Sequence, residues 1–486
     1  MHISSIPSPY GIGTLGKSAR KFLDFLRSAG QSYWQILPVC PTGYGDSPYQ
    51  GTSTYAGNPY LIDLDMLQER GLLEKADYSE LNWGEDEGCV DFGKMYELRN
   101  PVLAKAADRL LEQPPGDYSD FCENNKFWLD DYALFSVIKE VCGGLEWQKW
   151  SEGLKFRKDA DLQQFREAHG GEIEARKAVQ YMFFDQWNSL REYARETGIR
   201  IIGDAPIYVA MDSVDVWVAP EMFRLDEELR PTEISGCPPD GFSATGQRWG
   251  NPLYRWDRMA VNNYEWAVRR FGYLSNIYDV LRIDHFRGFD SYYAIPADSP
   301  DARTGTWEKG PGAELFKELE RRRGKVSIIA EDLGFLTDSV RELLEECGYP
   351  GMKVLQFAFD SREPSHVYYL PHRYPERCVA YTGTHDNNTI KGWISEISKE
   401  EFDTAKQYMG LSDPDSYVWD TMKTLWRTAA GITIVPMQDI LCKGSEARMN
   451  RPAIPEGNWA WRMKKDEITD DLVEKLHGYM EMYERI

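Results

Sequence analysis

Four acids close short β-branched runs in this chain. Asp204 ends IRIIGD, Asp284 sits late in VLRIDH, Glu331 follows VSIIA, and Asp386 ends YTGTHD. Carboxylates brought together from separate strand ends can share the work of a proton donor and a nucleophile, the division that glycosyl transfer uses. In LRIDH (281–285) the strand period of two puts Arg282 and Asp284 on one face and Ile283 on the other. An opposite charge within ~4–6 Å lowers a carboxylate pKa. Arg282 is therefore expected to hold Asp284 ionised, as a nucleophile must be.

Each of these residues also has a plainer reading. Arg282 and Asp284 can be an ion pair of the kind cores retain without catalytic purpose. Glu331 can be a surface acid in a βα turn, where acids suit a helix N-terminus. Asp386 can be the N-cap of the helix begun by NNTIKGW. His285 and His385, two of only seven histidines, adjoin two of the acids and can equally be satisfied polar residues. What favours chemistry is that four strand ends carry an acid at once.

The elements that must position these acids read as parallel β-α units. Strand runs are expected at 33–39, 199–204, 280–285, 326–332, 352–359, 378–386 and 432–436, separated by helical patterns. If HISSI (2–6) is the tail of one more, the count reaches the eight of a (β/α)8 barrel. Such barrels keep their chemistry at the C-terminal ends of the strands, where all four acids fall. Residues 64–197 break the rhythm with apolar residues at helical spacing, read as a mainly helical insertion closed by Gly198. Residues 221–256 hold SGCPPDGFSATGQRWGNP, too rich in Gly, Pro and Ser for regular elements, and are read as an irregular loop insertion covering the site.

Composition narrows the partners. The 486 residues are 42% hydrophobic and 28% charged, an ordinary globular balance. A formal charge of −22 repels nucleic acid and anionic membranes, so a neutral substrate is favoured. The cysteines are scattered without a C-x-x-C pair, and no apolar run approaches a membrane span, which points to a reducing cytoplasm. No nucleotide loop or clustered metal ligands occur, so no cofactor and no metal is expected. Aromatic residues make up 13% of the chain. Several, including Tyr49, Tyr55 and Trp249, lie in expected loops, where rings can stack on sugar faces or simply pack.

The motifs HISSIPSPYGIGTLG (2–16), GYGDSPYQ (43–50), GDAPIYV (203–209), LRIDHFRGF (281–289), IIAEDLG (328–334), YTGTHDNNT (381–389) and PEGNWAWR (455–462), in this order, resemble the 4-α-glucanotransferases of glycoside hydrolase family 77, also called amylomaltases or disproportionating enzymes, in the α-amylase clan. The resemblance runs from residue 2 to about 462. It implies that Asp284 is the nucleophile, Glu331 the general acid/base and Asp386 the acid that stabilises the transition state. It implies that Asp204, Arg282 and His385 bind the sugar at the point of cleavage. Ser47, Tyr49, Gln247 and Trp249 match positions along the donor groove, and Asn450, in ARMNRP, a glucan-contacting loop. Family members carry several residues before the stretch matching HISSIP, so the opening is expected to lie inside the first barrel strand.

The implied reaction is a retaining double displacement in which a maltooligosaccharide or other α-1,4-glucan is the donor and a glucan 4-hydroxyl replaces water as acceptor. Two other readings use the same residues. An amylase-type hydrolase would use the same three acids with water, and a glucan-binding scaffold would keep the barrel without turnover.

Overall fold

The computed structural model describes the chain from Met1 to Ile486 except residues 44, 240–242, 335, 363, 453 and 455. Tyr44 of the GYGDSPYQ motif, residues 240–242 of the 221–256 segment and Pro455 of the last motif therefore lie outside the described residues. The strands in chain order are β1 (Tyr33–Gln35), β2 (Arg200–Ala205), β3 (Glu233–Cys237), β4 (Gln247–Pro252), β5 (Val280–Ile283), β6 (Ser291–Pro296), β7 (Thr306–Lys309), β8 (Ile328–Ala330), β9 (Gly351–Val354), β10 (Cys378–Tyr381) and β11 (Ile432–Ile434). Seven of them form one parallel sheet in the order β1-β2-β5-β8-β9-β10-β11, the wall of a (β/α) barrel.

All seven expected strand runs contribute to this wall. The opening residues differ from expectation, because Ile3–Ser5 form a 3-10 turn instead of the tail of a strand. Met1 and His2 lie against β1: the Trp34 indole donates to the Met1 carbonyl at 2.7 Å and the Leu37 amide donates to His2 Nδ1 at 3.2 Å. One cavity is lined by these two residues, by 35–37 and by Ile434 and Val435, so the two edges of the sheet curl toward each other.

Side chains alternate across this wall, and the alternation builds the site. Ile202, Val280, Ile329, Met352 and Val379 meet inside the barrel as one apolar cluster. Ile201, Leu281, Ile283, Ile328 and Ala330 face the other way, into the larger core shared with the helices. One strand period beyond the inner apolar layer, the inward positions become Asp204, Arg282, Glu331 and Tyr381. The ionisable layer thus sits at the C-terminal mouth because on β2, β5 and β8 the inward position two residues past the inner aliphatic side chain is Asp204, Arg282 or Glu331.

Between β1 and β2 the helices Asn100–Glu112, Tyr118–Val141 and Gly170–Glu196 pack together. The last ends at Thr197, with Gly198 at φ 78°, the left-handed conformation that glycine adopts without steric cost. The 221–256 stretch is more regular than its composition suggests. It carries β3 and β4, which join β6 and β7 in an antiparallel sheet of order β4-β3-β6-β7. Here cross-strand pairing outweighs the local turn chemistry of Gly, Pro and Ser. The run expected at 352–359 is a strand only to Val354 and continues as a 3-10 turn over Leu355–Phe359. Among the described residues no helix is long and apolar enough to cross a membrane.

Candidate active site

Asp204 and Arg282 are register partners on β2 and β5, so their side chains leave the sheet side by side. Arg282 Nη1 donates to both oxygens of Asp204, at 2.8 and 2.7 Å, and Nη2 lies 3.1 Å from Asp284 Oδ1. One guanidinium therefore serves two carboxylates. Asp204 is 1% exposed, so it is the Arg282 charge that makes its burial tolerable, whereas Asp284 is 28% exposed toward the mouth.

Past Asp284 the chain turns sharply. His285 has φ 48° and ψ 48°, a left-handed conformation that costs a non-glycine residue about 1–3 kcal/mol. The turn aims the His285 amide at Glu331, whose Oε2 accepts it at 2.6 Å, while Oε1 accepts the Leu333 amide at 2.8 Å. Glu331 is buried. It holds a fixed place beside the Asp284–His285 segment and is not the exposed turn acid of the plainer reading. Burial, then the facing charge of Asp284, raises the Glu331 pKa, against the pull of Arg282 and the two amides. Burial also raises Asp284, with Arg282 opposing. Only Asp284 of the two touches the guanidinium, so at neutral pH the shared proton belongs on Glu331.

Asp386 follows β10 in the loop 383–389. The N-cap of the next helix, Ile390–Glu396, is Thr389, whose hydroxyl accepts the Gly392 amide at 3.1 Å. Asp386 is thereby free of that role. Its Oδ2 lies 3.3 Å from His385 Nε2 and its Oδ1 accepts Asn450 Nδ2 at 2.5 Å. Its side chain is 49% exposed; the desolvation of its packed side would by itself raise its pKa, but His385, Asn450 and Arg282 outweigh that and hold it at about 2. For His385, burial disfavours the imidazolium and Asp386 more than offsets it, so its pKa is raised. Tyr49 closes the ring of contacts. Its hydroxyl donates to Asp204 Oδ2 at 2.6 Å, lies 3.3 Å from His385 Nδ1, and its ring stacks on the imidazole at 4.8 Å.

Nine of the residues singled out in the sequence thus form one connected network: Tyr49, Asp204, Arg282, Asp284, His285, Glu331, His385, Asp386 and Asn450. Trp249 joins it through an edge contact to His285 at 4.8 Å and is itself oriented by Gln247, whose Oε1 accepts the indole N–H at 3.1 Å. Ser47 touches none of the acids, and its hydroxyl accepts the Tyr49 amide at 3.3 Å, shaping the turn that presents Tyr49. Tyr55 packs against Phe127, Trp128 and Tyr273.

Two residues escaped the sequence reading. Trp459 lies 5.8 Å from the Tyr49 ring and 5.7 Å from the His385 ring, completing an aromatic wall. Arg448 donates to the Asp386 carbonyl at 2.6 Å and to the Asn450 carbonyl at 2.8 Å. Both belong to quoted stretches, ARMNRP and PEGNWAWR, but only tertiary contact distinguishes them from their neighbours.

With this geometry in place, comparison with known proteins is direct. The family model of glycoside hydrolase family 77, described as 4-alpha-glucanotransferase, matches residues 1–469. A 4-alpha-glucanotransferase of Clostridium butyricum is 45% identical over 489 residues, covering all of both chains. The 4-alpha-glucanotransferase of Thermus thermophilus is 44% identical over 497 residues, covering 100% of this chain and 98% of the other. Among solved structures, an amylomaltase from Streptococcus agalactiae in complex with acarbose superposes with a TM-score of 0.96 at 40% identity, covering 100% of this chain and 98% of that one. An amylomaltase from Corynebacterium glutamicum shares the fold at a TM-score of 0.73 and 17% identity, covering 99% of this chain and 74% of that one. Full-length similarity at this level, over a barrel whose strand ends carry the acids, shows that the chain belongs to the 4-alpha-glucanotransferases of glycoside hydrolase family 77.

Proposed function

We propose that this chain moves an α-1,4-glucan segment from a maltooligosaccharide donor to the 4-hydroxyl of an acceptor glucan or glucose by a retaining double displacement. In the first step Asp284 attacks the anomeric carbon while Glu331 gives its proton to the departing glycosidic oxygen, releasing the shortened glucan. The C1–O bond to the leaving sugar breaks and an ester bond from C1 to Asp284 forms. In the second step Glu331, now ionised, takes the proton of an acceptor 4-hydroxyl as that oxygen displaces Asp284, which restores both acids. Once Asp284 is esterified its charge is gone, and Glu331 becomes the weaker base suited to a proton it must later return.

The observation that carries this reading is the 2.6 Å bond from the His285 amide to Glu331, which ties the acid/base to the residue adjoining the nucleophile. Retention needs two carboxyl groups about 5–5.5 Å apart, and a tether of this kind supports such proximity. Asp386, held ionised, faces the positive charge that develops on the ring, a preorganised electrostatic role. Asp204, Arg282 and His385 bind the sugar at the cleavage point. Tyr49, Trp249 and Trp459 offer ring faces along the groove, with Ser47 and Gln247 orienting two of them, and Asn450 fixes Asp386.

Transfer needs an acceptor to outcompete water at the intermediate, hence a covered site. In this reading the barrel is the catalytic unit, residues 64–197 are an insertion in it, and residues 221–256 are the cover, supported by the contact of Trp249 with His285. The cysteines, scattered along the chain without a C-x-x-C pair, support a reducing, cytoplasmic setting. Incubation with maltotriose tests the proposal. Glucose together with a ladder of longer oligosaccharides is expected, whereas maltose and glucose without elongation would show a hydrolase, and binding without turnover a scaffold.

A further inference from the structure

The loop 383–389 holds His385 and Asp386, and both of its ends reach one buried carboxylate that the reaction itself does not use. Asp439 lies on the short helix Met437–Ile440 and is 1% exposed. Its Oδ2 accepts the hydroxyl of Thr382, the residue after β10, at 2.8 Å, and its Oδ1 accepts the amide of Ile390, the first residue of the following helix, at 2.7 Å. Thr382 and Ile390 are themselves fully buried. Among the described residues Asp439 pairs with no cation, and burial raises its pKa to about 7.

We infer that Asp439 is a positioning residue for the transfer reaction, clasping the 383–389 loop from both sides so that Asp386 and His385 meet the reacting sugar in register. An ionisable group buried without a counter-charge is disfavoured, and it persists only where its hydrogen bonds secure something. Here they secure the amide of Ile390, one of the unpaired donors at a helix start, and the exit of β10. The clasp lies in the same stretch of chain as the loop's other restraint, since 437–450 also supplies Asn450, which bonds Asp386 directly. Gln356 adds a lateral tie, donating to the Asn388 carbonyl at 2.8 Å. A displacement of about 1 Å in such a group costs roughly 10²-fold in rate.

This inference rests on the catalytic role proposed for Asp386, and the test separates the two. In Asp439→Asn the amide oxygen can still accept from Ile390 and the amide N–H can donate to the Thr382 hydroxyl, so the clasp survives. In Asp439→Leu, of similar size, both bonds are lost. Expected for maltotriose disproportionation, per folded enzyme, are a kcat near wild type for Asp439→Asn, a fall of about 30-fold for Asp439→Leu with KM nearly unchanged, and a smaller fall of about fivefold for Thr382→Val. Should Asp439→Leu fail to fold, Thr382→Val against Asp439→Asn gives the same contrast. If Asp439→Leu or, in its absence, Thr382→Val keeps the wild-type kcat while Asp386→Asn is inactive, the clasp is overturned and the Asp386 role stands. If Asp386→Asn is itself active, the reading beneath both has failed.

Discussion

Glu331 Oε2 accepts the backbone amide of His285 at 2.6 Å, one residue beyond Asp284. The left-handed turn at His285 makes this bond possible, and the bond couples the proposed acid/base, Glu331, to the segment that carries the proposed nucleophile, Asp284. Conformational strain at one residue is thus exchanged for fixed geometry between two acids.

Replacing Glu331 by Gln removes the transferable proton but keeps an acceptor for one of the two amides. Turnover of maltotriose is expected to fall by at least ~10²–10⁴-fold, the range a general acid contributes. Steady-state product analysis checks it, and near-normal activity would remove Glu331 from the mechanism.

The two raised carboxyl pKa values set the pH dependence. The proposed reaction needs Asp284 ionised and Glu331 protonated. As pH falls, Asp284 gains its proton and kcat/KM drops, and as pH rises Glu331 loses its own and kcat/KM drops again. Both groups are shifted upward from the usual carboxylate range, so both limbs move toward neutrality. A maltotriose profile measured over roughly pH 4 to 9 is expected to be a bell with its maximum between the two shifted values. A profile flat across that range would contradict the assignment.

Arg282 neutralises Asp204 in a setting where neither side chain is more than 4% exposed. Its replacement by Met leaves the buried Asp204 carboxylate with the Tyr49 hydroxyl but without a counter-charge, and breaking such a pair costs about 3–5 kcal/mol. Urea unfolding at neutral pH should show a lowered midpoint and an unfolding free energy reduced by that order, and the loss should shrink in the Arg282→Met/Asp204→Asn double variant. Equal losses in the single and double variants would mean that charge pairing is not what Arg282 supplies.

Asn450 donates to Asp386 at 2.5 Å. A hydrogen bond to a charged group contributes about 1.5–3 kcal/mol, so Asn450→Ala is expected to lower kcat roughly 10- to 100-fold without unfolding the chain. An unchanged kcat would show that His385 and Arg448 suffice to hold Asp386.

Much of this arrangement was legible in the chain itself. Period-two alternation placed Arg282 and Asp284 on the inner face, and Asp204 and Glu331 fell one strand period past an inner aliphatic residue, so barrel and acids emerged from one pattern. What stayed hidden depended on contacts across long separations. Asp204 and Arg282 become partners through strand register, which no local signal encodes, and Trp459 reaches Tyr49 from more than 400 residues away. The regular strands within 221–256 were masked by glycine and proline, because pairing of β3 with β6 and of β4 with β3 decides their conformation. The opening HISSI carries the β-branched Ile3 and Ile6, which suit a strand, yet it turns as a 3-10 segment held by Gly13, whose amide donates to the Ser4 carbonyl at 2.9 Å.

The assignment of Asp284 as nucleophile has the most direct test in the Glu331→Gln variant supplied with α-maltosyl fluoride, whose leaving group needs no proton. Asp284 should displace fluoride and remain esterified, because no base is left to activate an acceptor. Peptide mapping by mass spectrometry is predicted to find maltosyl on the peptide containing Asp284. Label on another residue, or fluoride release with no label at all, would contradict the account.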